Sequence, residues 1–533
     1  MNDDAQHKWW QTGIIYEIYL RSFQDSNNDG IGDLRGIINR LDYLQWLGVN
    51  ILWITPFYPS PMKDFGYDIS DYTAVDSRFG DMQDFDDLVA EVHRHNMKLV
   101  IDFVPNHTSD QHPWFKESRS SRFNLKRDWY IWQTPAHGKS PNNWLSVLGG
   151  SAWQWDELTQ QYYYHAFLKE QPDLDLTNAE VMNAISDVMR FWLSKGVDGF
   201  RVDVMWHLAK DKLLRDNPVN PNYKPSMPDC DRLQQIYSCD RPEVHEVIVQ
   251  LRKVLDEYDD RVMMGEIYLS PDKTIPYYGE KNNEAHLPSN FQLLFIPWKA
   301  KDISGAIEEY EALLPKDAWP NWAIGNHDRA RLISRISKDQ TRNAAILLLT
   351  LRGTPVLYYG DEIGIPQVQI PKEEVQDPQG LLMPDKGLSR DPQRTPMQWD
   401  KSLNAGFTRA KPWLRLSNDY PEQNVEVQSK DDESLLSFYK RMIALRQSEP
   451  SLMYGSYSEV FSDENILAYT RQSVLGDTFL IVLNFTDEKH LFSHAQRLEG
   501  SIEIATDAKW DGLIFGNELD IEPNMGLVIR LDK

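Results

Sequence analysis

From residue 14 onward, short runs of β-branched and apolar residues alternate with longer stretches in which apolar side chains recur every three or four positions. A strand buried on both faces needs the first pattern and a helix with one apolar stripe needs the second, so the alternation predicts a parallel sheet wrapped by helices. Strands are predicted over 14–20, 51–54, 98–104, 199–204, 262–267, 291–295, 322–324 and 356–359. Leu34, Ile37, Ile38, Leu41, Leu44 and Leu47 keep helical spacing before Gly48, and Phe85, Leu88, Val89 and Val92 share one face of a helix over 84–96. Asn178 is a good N-cap for a helix that turns Val181, Ile185, Val188 and Trp192 inward, and segments 242–256, 302–314 and 341–352 also read as helical. Eight strands in this alternation make an α/β chain with the strand count of a closed (β/α)8 TIM barrel.

The alternation lapses over 105–174, a stretch rich in Trp, Tyr, Ser and Asn with no clear period. A small domain inserted after strand three is expected there, leaving 1–104 and 175–450 as the barrel. An excursion with Pro and Gly over about 362–432 precedes a last helix near 435–446, and beyond 451 short alternating runs such as 466–471 and 478–484 predict a C-terminal antiparallel β-sandwich over 451–533.

Composition narrows the partners. A net charge of −24 on 533 residues argues against nucleic acid, which needs a cationic face to release counterions. No apolar run approaches the roughly 20 residues that span a bilayer, and the opening residues lack an apolar signal core, so a soluble, cytoplasmic chain, monomer or homodimer, is expected. Two cysteines, Cys230 and Cys239, are too few for a disulfide scaffold and read as free thiols. The 18 Trp and 24 Tyr exceed what a core needs; flat rings suit the apolar faces of sugars, although a structural role is the better reading for any single one.

The candidate chemistry lies where the predicted strands finish. Arg201 and Asp203 stand two apart on one strand and so share a face, where the guanidinium favours an ionised carboxylate ready to act as a nucleophile. In isolation this is equally well a buried ion pair. Other strand ends bring Asp102 with Asn106 and His107, then Glu266, then Asn326, His327 and Asp328. Barrels of this kind place reacting groups at those ends. Three carboxylates on one rim point to cleavage of a glycosidic bond, for which a retaining enzyme needs two carboxyl groups about 5–5.5 Å apart. Asp203 suits the nucleophile, and Glu266, approached through Met263, Met264 and Gly265, suits a general acid whose pKa burial raises. Asp328 suits the third role, stabilising positive charge in the transition state, with His107 and His327 as neutral hydrogen-bond partners of the sugar.

These stretches resemble the α-amylase superfamily, glycoside hydrolase family 13. Asp102-Phe-Val-Pro-Asn-His107, Gly199-Phe-Arg-Val-Asp203, Gly265-Glu266 and Asn326-His-Asp328 are similar to its motifs in order and separation. The resemblance spans about 9–450 and implies the barrel, the inserted domain and the C-terminal β domain. It also implies Asp203 as nucleophile, Glu266 as acid/base and Asp328 as transition-state stabiliser. Within the family, Gln171-Pro-Asp-Leu-Asp175, Asp64-Phe-Gly-Tyr-Asp68 and Arg390-Asp-Pro-Gln-Arg394-Thr-Pro-Met-Gln-Trp399 resemble exo-acting α-glucosidases and oligo-1,6-glucosidases, with Asp175 where the pattern usually has Asn. The resemblance implies that Asp64, Tyr67 and Phe167 line a terminal glucose pocket and that Arg394 pairs with Asp64. Such a pair would close the pocket to all but a chain end.

Asp25-Ser-Asn27-Asn-Asp29-Gly-Ile31-Gly-Asp33 spaces oxygen ligands two apart, as a hard cation requires, but lacks the Glu that ends an EF-hand loop. The alternative is an Asx-rich turn. Related α-glucosidases imply a structural Ca2+ or Mg2+ here, with the Ile31 carbonyl as a ligand. The expected activity is therefore a retaining exo-α-glucosidase acting on short neutral oligosaccharides such as maltose or isomalto-oligosaccharides. A transglycosylating relative, of the trehalose-synthase or sucrose-acting kind, is the alternative. A non-catalytic transporter heavy chain is disfavoured because those typically lose the carboxylates. Val204, after the nucleophile, resembles the choice of enzymes that accept α-1,6 bonds.

Overall fold

The computed structural model describes residues 7–135, 138–474, 476–493, 498–516 and 518–532; the expected absence of a leader at the extreme N-terminus falls outside them. Eight parallel strands form the central sheet, in the order Asn321–Ala323, Thr354–Tyr358, Ile15–Ile18, Ile51–Ile54, Lys98–Phe103, Gly199–Val202, Val262–Gly265, Leu287–Pro288. Ile15 lies opposite both Ile51 and Val356, and Val100 opposite Gly199, so chain order is kept around the ring. Every residue of Ile15–Ile18, Ile51–Ile54, Gly199–Val202 and Val262–Gly265 is buried, the reason those runs are nearly all apolar.

The sixth strand departs from the expectation. Leu287–Pro288 pairs with the seventh element of that order, Val262–Gly265, and 292–294 is a 3-10 turn, so no strand runs over 291–295. Proline has no N–H for a ladder. The gap to Asn321–Ala323 is spanned instead by one side chain: Asn321 Nδ2 donates to the Pro288 carbonyl at 2.6 Å and its Oδ1 accepts from Asn290 N–H at 3.1 Å. Phe291 and Leu294, the apolar residues that suggested a strand, pack against Met264, Leu287 and Ala323.

The helices follow their caps. Met82–Arg94 starts in a capping box between Asp81 and Asp84, and Ala179–Ser194 starts under the Asn178 side chain. Trp192 packs edge-on to Phe57 and Phe85, tying that helix to the loop after strand two. Thr341–Thr350 is buried at every position but Arg342, between the barrel and the C-terminal sheet, and its final carbonyls accept from the Arg446 and Arg471 guanidiniums.

After strand three the inserted segment forms an antiparallel three-stranded sheet, with Gln161–Tyr164 between Trp132–Gln133 and Trp153–Asp156. Beyond the barrel, Ser456–Ser462, Ile466–Gln472, Thr478–Asn484, Gly526–Leu531, Gly500–Ala505 and Ile514–Phe515 make an antiparallel sheet in that order, and His490–Ser493 pairs with Glu518–Ile521. No helix of the described residues is long and apolar enough to cross a membrane.

Candidate active site

A cavity of about 790 Å³ opens at the C-terminal ends of the strands, and Asp64, Tyr67, His107, Phe167, Asp203, Glu266, His327 and Asp328 all line it. Asp203 and Glu266 directly follow Gly199–Val202 and Val262–Gly265. Between Asp203 and the next turn, Val204 has left-handed backbone (φ 39°), a strained setting for a β-branched residue, and its N–H donates to Glu266 Oε2 at 2.7 Å. The turn after one carboxylate thus fixes the other.

Arg201 is the hub. Its Nη1 lies 2.7 Å from Asp102 Oδ1 and 2.7 Å from Asp203 Oδ1, and its Nη2 lies 3.0 Å from Glu266 Oε2. Asp203 and Glu266 therefore sit on the two Nη groups of one guanidinium. The expectation that Arg201 simply keeps Asp203 ionised needs correcting, because one cation serves three carboxylates. Burial, then the Glu266 charge, push Asp203 well up against the pull of Arg201. Burial raises Glu266 and Asp102 as well, so this cluster retains a proton above the ordinary carboxylate range.

Asp328 behaves oppositely. Burial would raise it, but the Arg394 and Arg390 guanidiniums outweigh burial and hold it well below the usual range. Arg394 Nη2 lies 2.7 Å from Asp328 Oδ1, and Arg390 Nη1 3.4 Å. The predicted Asp64–Arg394 pair is not what the structure forms. Arg390 takes that place, with Nη2 at 2.7 Å from Asp64 Oδ1 and 2.8 Å from Asp377 Oδ1. Four residues further along, Arg394 is wholly buried behind Asp328, with Nε donating to the His327 carbonyl.

The loop that carries Asp64 and Tyr67 folds around a buried carboxylate. Asp68 accepts from Ser60 Oγ and from the N–H groups of Lys63 and Asp64, and burial lifts it to about 6. Gln171 Nε2 reaches Asp64 Oδ2 at 3.3 Å and lies 3.1 Å from His107 Nε2, so the inserted segment completes the pocket wall. Burial lowers His107 to about 4 and His327 well below its ordinary value, leaving both rings neutral. Phe167 stands between the His107 and His207 rings, 5.4 Å from each. Asp175 lies off the cavity lining and accepts from Thr177 N–H and Oγ, a turn that Asn would close equally well.

In the loop 25–33, Asp25 accepts from the N–H groups of Asn27, Asn28 and Gly30, Asn27 Oδ1 from Asp29 N–H, Asp29 from Ile31 N–H, and Asp33 from Ser26 and Gly36. The donor set is all hard oxygen, the chemistry Ca2+ or Mg2+ takes. Among the described residues no three Asp, Glu, His or Cys side chains converge as a metal site.

Comparison with known proteins places this geometry. The family profile for the alpha amylase catalytic domain matches residues 17–455. The chain belongs to the α-amylase family of glycoside hydrolases. It is 40% identical to a probable alpha-glucosidase of Rhizobium meliloti over 91% of each chain. It is 39% identical to an oligo-1,6-glucosidase of Parageobacillus thermoglucosidasius, covering 91% of this chain and 92% of that one. Among solved structures, the alpha-glucosyl transfer enzyme XgtA superposes with a TM-score of 0.92 at 38% identity, over 98% of this chain and all of that one.

This glycoside hydrolase also uses residues that the sequence patterns did not single out. Trp206, His207, Tyr268 and Arg329 line the cavity, the first two from the irregular segment after Asp203 that has no period to read. Glu17 was detectable in principle, as a charged residue inside the otherwise apolar strand Ile15–Ile18.

Proposed function

We propose that this enzyme is a retaining exo-α-glucosidase that releases glucose from the non-reducing end of short α-glucosides such as maltose or isomalto-oligosaccharides. The observation that carries the reading is the Arg201 guanidinium gripping Asp203 and Glu266 in a cavity where Arg390 pairs with Asp64. Asp203 attacks the anomeric carbon as the Glu266 proton passes to the leaving oxygen, giving a covalent glucosyl-Asp203; Glu266 then takes a proton from the water that hydrolyses it. Asp328, ionised by its two arginines, stabilises the positive charge that builds at the anomeric carbon. Asp64, Tyr67, His107, Phe167, His327 and Arg390 hold the terminal sugar, and Arg201 and Arg394 act from behind. Val204 lines the cavity next to Asp203, the position at which a β-branched side chain would select the linkage by shape.

A hard divalent cation, Ca2+ or Mg2+, held by Asp25, Asn27, Asp29, Asp33 and the Ile31 carbonyl would tie the loop without entering the chemistry. A second reading, transfer of glucosyl to another sugar instead of to water, is favoured by the likeness to the alpha-glucosyl transfer enzyme XgtA. Asp203→Asn and Glu266→Gln should each cost orders of magnitude in hydrolysis of an aryl α-glucoside. Near-normal rates in either would reject the assignment. Product analysis on maltose, isomaltose, sucrose and trehalose separates hydrolysis from transfer.

A further inference from the structure

Glu17 is completely buried on the first barrel strand, and its two oxygens are treated differently. Oε1 contacts His327 Nδ1 at 2.5 Å and accepts from the His327 backbone N–H at 3.3 Å, while Oε2 has no hydrogen-bond partner among the described residues. On its other side, His327 Nε2 lies 3.0 Å from the Tyr67 hydroxyl, which donates to Asp102 Oδ2 at 3.0 Å. Asp102 Oδ1 in turn is held by Arg201.

The hydrogens in this row can be counted. Tyr67 has one, given to Asp102, so its oxygen accepts from His327 and Nε2 must carry a hydrogen. The ring is then either an imidazolium or the neutral Nε2–H form. An imidazolium would have the Asp328 carboxylate 3.5 Å away in its favour, but burial together with the Arg394, Arg201 and Arg390 guanidiniums opposes it and prevails. A neutral ring presents a bare lone pair at Nδ1, and the carboxyl of Glu17 is the group that meets it. Oε2 points the same way: an ionised carboxylate would leave one oxygen buried without a donor, whereas a neutral acid leaves only a carbonyl. Burial, acting with the Asp328 and Asp102 charges, disfavours the ionised form of Glu17 and outweighs Arg201 and the His327 backbone N–H, which favour it. Tyr358, opposite Glu17 on the neighbouring strand Thr354–Tyr358, and Tyr359 after it both feel the Glu17 charge and are themselves held neutral by burial.

We propose that Glu17 is a positioning residue: a neutral buried acid that donates to His327 Nδ1, fixes the tautomer with Nε2–H, and so orients that N–H and the Tyr67 hydroxyl. What those two groups then address, the terminal glucose, rests on the exo-α-glucosidase reading; the proton inventory does not.

The test pairs a spectrum with kinetics. The infrared difference between wild type and Glu17→Gln should contain a protonated carboxylic C=O band that shifts on 13C-glutamate labelling and persists at pH 8. A difference spectrum showing only a carboxylate band overturns the proposal. On an aryl α-glucoside, Glu17→Gln, whose amide can donate in the same place, should keep kcat/KM within about threefold with an unshifted pH profile. Glu17→Leu, checked for its melting temperature, should lose about 10- to 100-fold, mainly in kcat. A shift of a full unit in the Glu17→Gln profile, or wild-type kinetics in a folded Glu17→Leu, overturns the proposal. If Glu17→Leu does not fold, the spectrum and Glu17→Gln decide alone. If wild type itself fails on α-glucosides, the functional reading fails while the spectrum still reports on Glu17.

Discussion

Arg390→Met is the substitution that most sharply probes how the pocket recognises a chain end. It removes the cation that lies 2.7 Å from Asp64 and 2.8 Å from Asp377, and leaves Asp64, only 5% exposed, with the Gln171 amide at 3.3 Å as its one side-chain donor among the described residues. Stripping the partner from a buried carboxylate costs about 3–5 kcal/mol. If most of that falls on substrate binding and the transition state, kcat/KM for an aryl α-glucoside drops by roughly 10²- to 10³-fold. The diagnostic measurement is coupling. In wild type a 4-deoxyglucoside should react more slowly because it loses its bond to the Asp64–Arg390 pair. In Arg390→Met the same deletion should cost almost nothing more, since the partner has already gone. Arg394→Met, which takes the cation from Asp328 instead, should slow both substrates by the same factor. Additive penalties for Arg390→Met and the missing hydroxyl would refute the reasoning, as would strong coupling at Arg394.

Three further outcomes are expected. Asp361, beside Arg331 and raised by burial to about 7, binds its proton more tightly folded than unfolded. Its contribution is full below an unfolded pKa near 3.8 and is lost as pH rises through 7, by at most about 4 kcal/mol. The melting temperature of Asp361→Asn should therefore gain on wild type from pH 4 to 8, and a constant difference between the two would contradict this. Chelation should lower the melting temperature of wild type, and added Ca2+ or Mg2+ should restore it, but not in Asp25→Ala; equal response of the two proteins would place any cation elsewhere. Lys210, on the barrel side of the boundary, whose Nζ holds Asp173 and Asn106 near the two ends of the inserted segment at 2.5 and 2.7 Å, should cost about 3–5 kcal/mol in urea unfolding when replaced by Met, and a loss under about 1 kcal/mol would show the bridge to be dispensable.

The order of elements in this chain is carried by its periodicity. Val181, Ile185, Val188 and Trp192 turned inward as their spacing demanded, and Asp203 and Glu266 stand just past strands whose ends could be placed by where apolar runs stop. Those features depend on neighbours in the chain, which the sequence displays directly. So do the caps at Asn178 and Asp81.

What depended on distance through space was not legible in that way. The run around Phe291–Phe295 is as apolar as a strand, yet Pro288 ends the ladder, and the Asn321 side chain closes the ring from 33 residues away. Arg390 and Arg394 are both long enough to reach Asp64, so spacing cannot choose between them; in the fold Arg394 is tied to the His327 carbonyl behind Asp328, and Arg390 lies between Asp64 and Asp377. Arg201 and Asp203 were visible as a pair, but that three carboxylates divide one guanidinium, and that a proton must therefore stay among them, is a property of three strands meeting. Local pattern determines which backbone runs inward, because burial along one element repeats with its own period. Ion pairing and protonation are determined only on closure of the barrel, because charges interact through the distance and the dielectric between them, and neither is written along the chain.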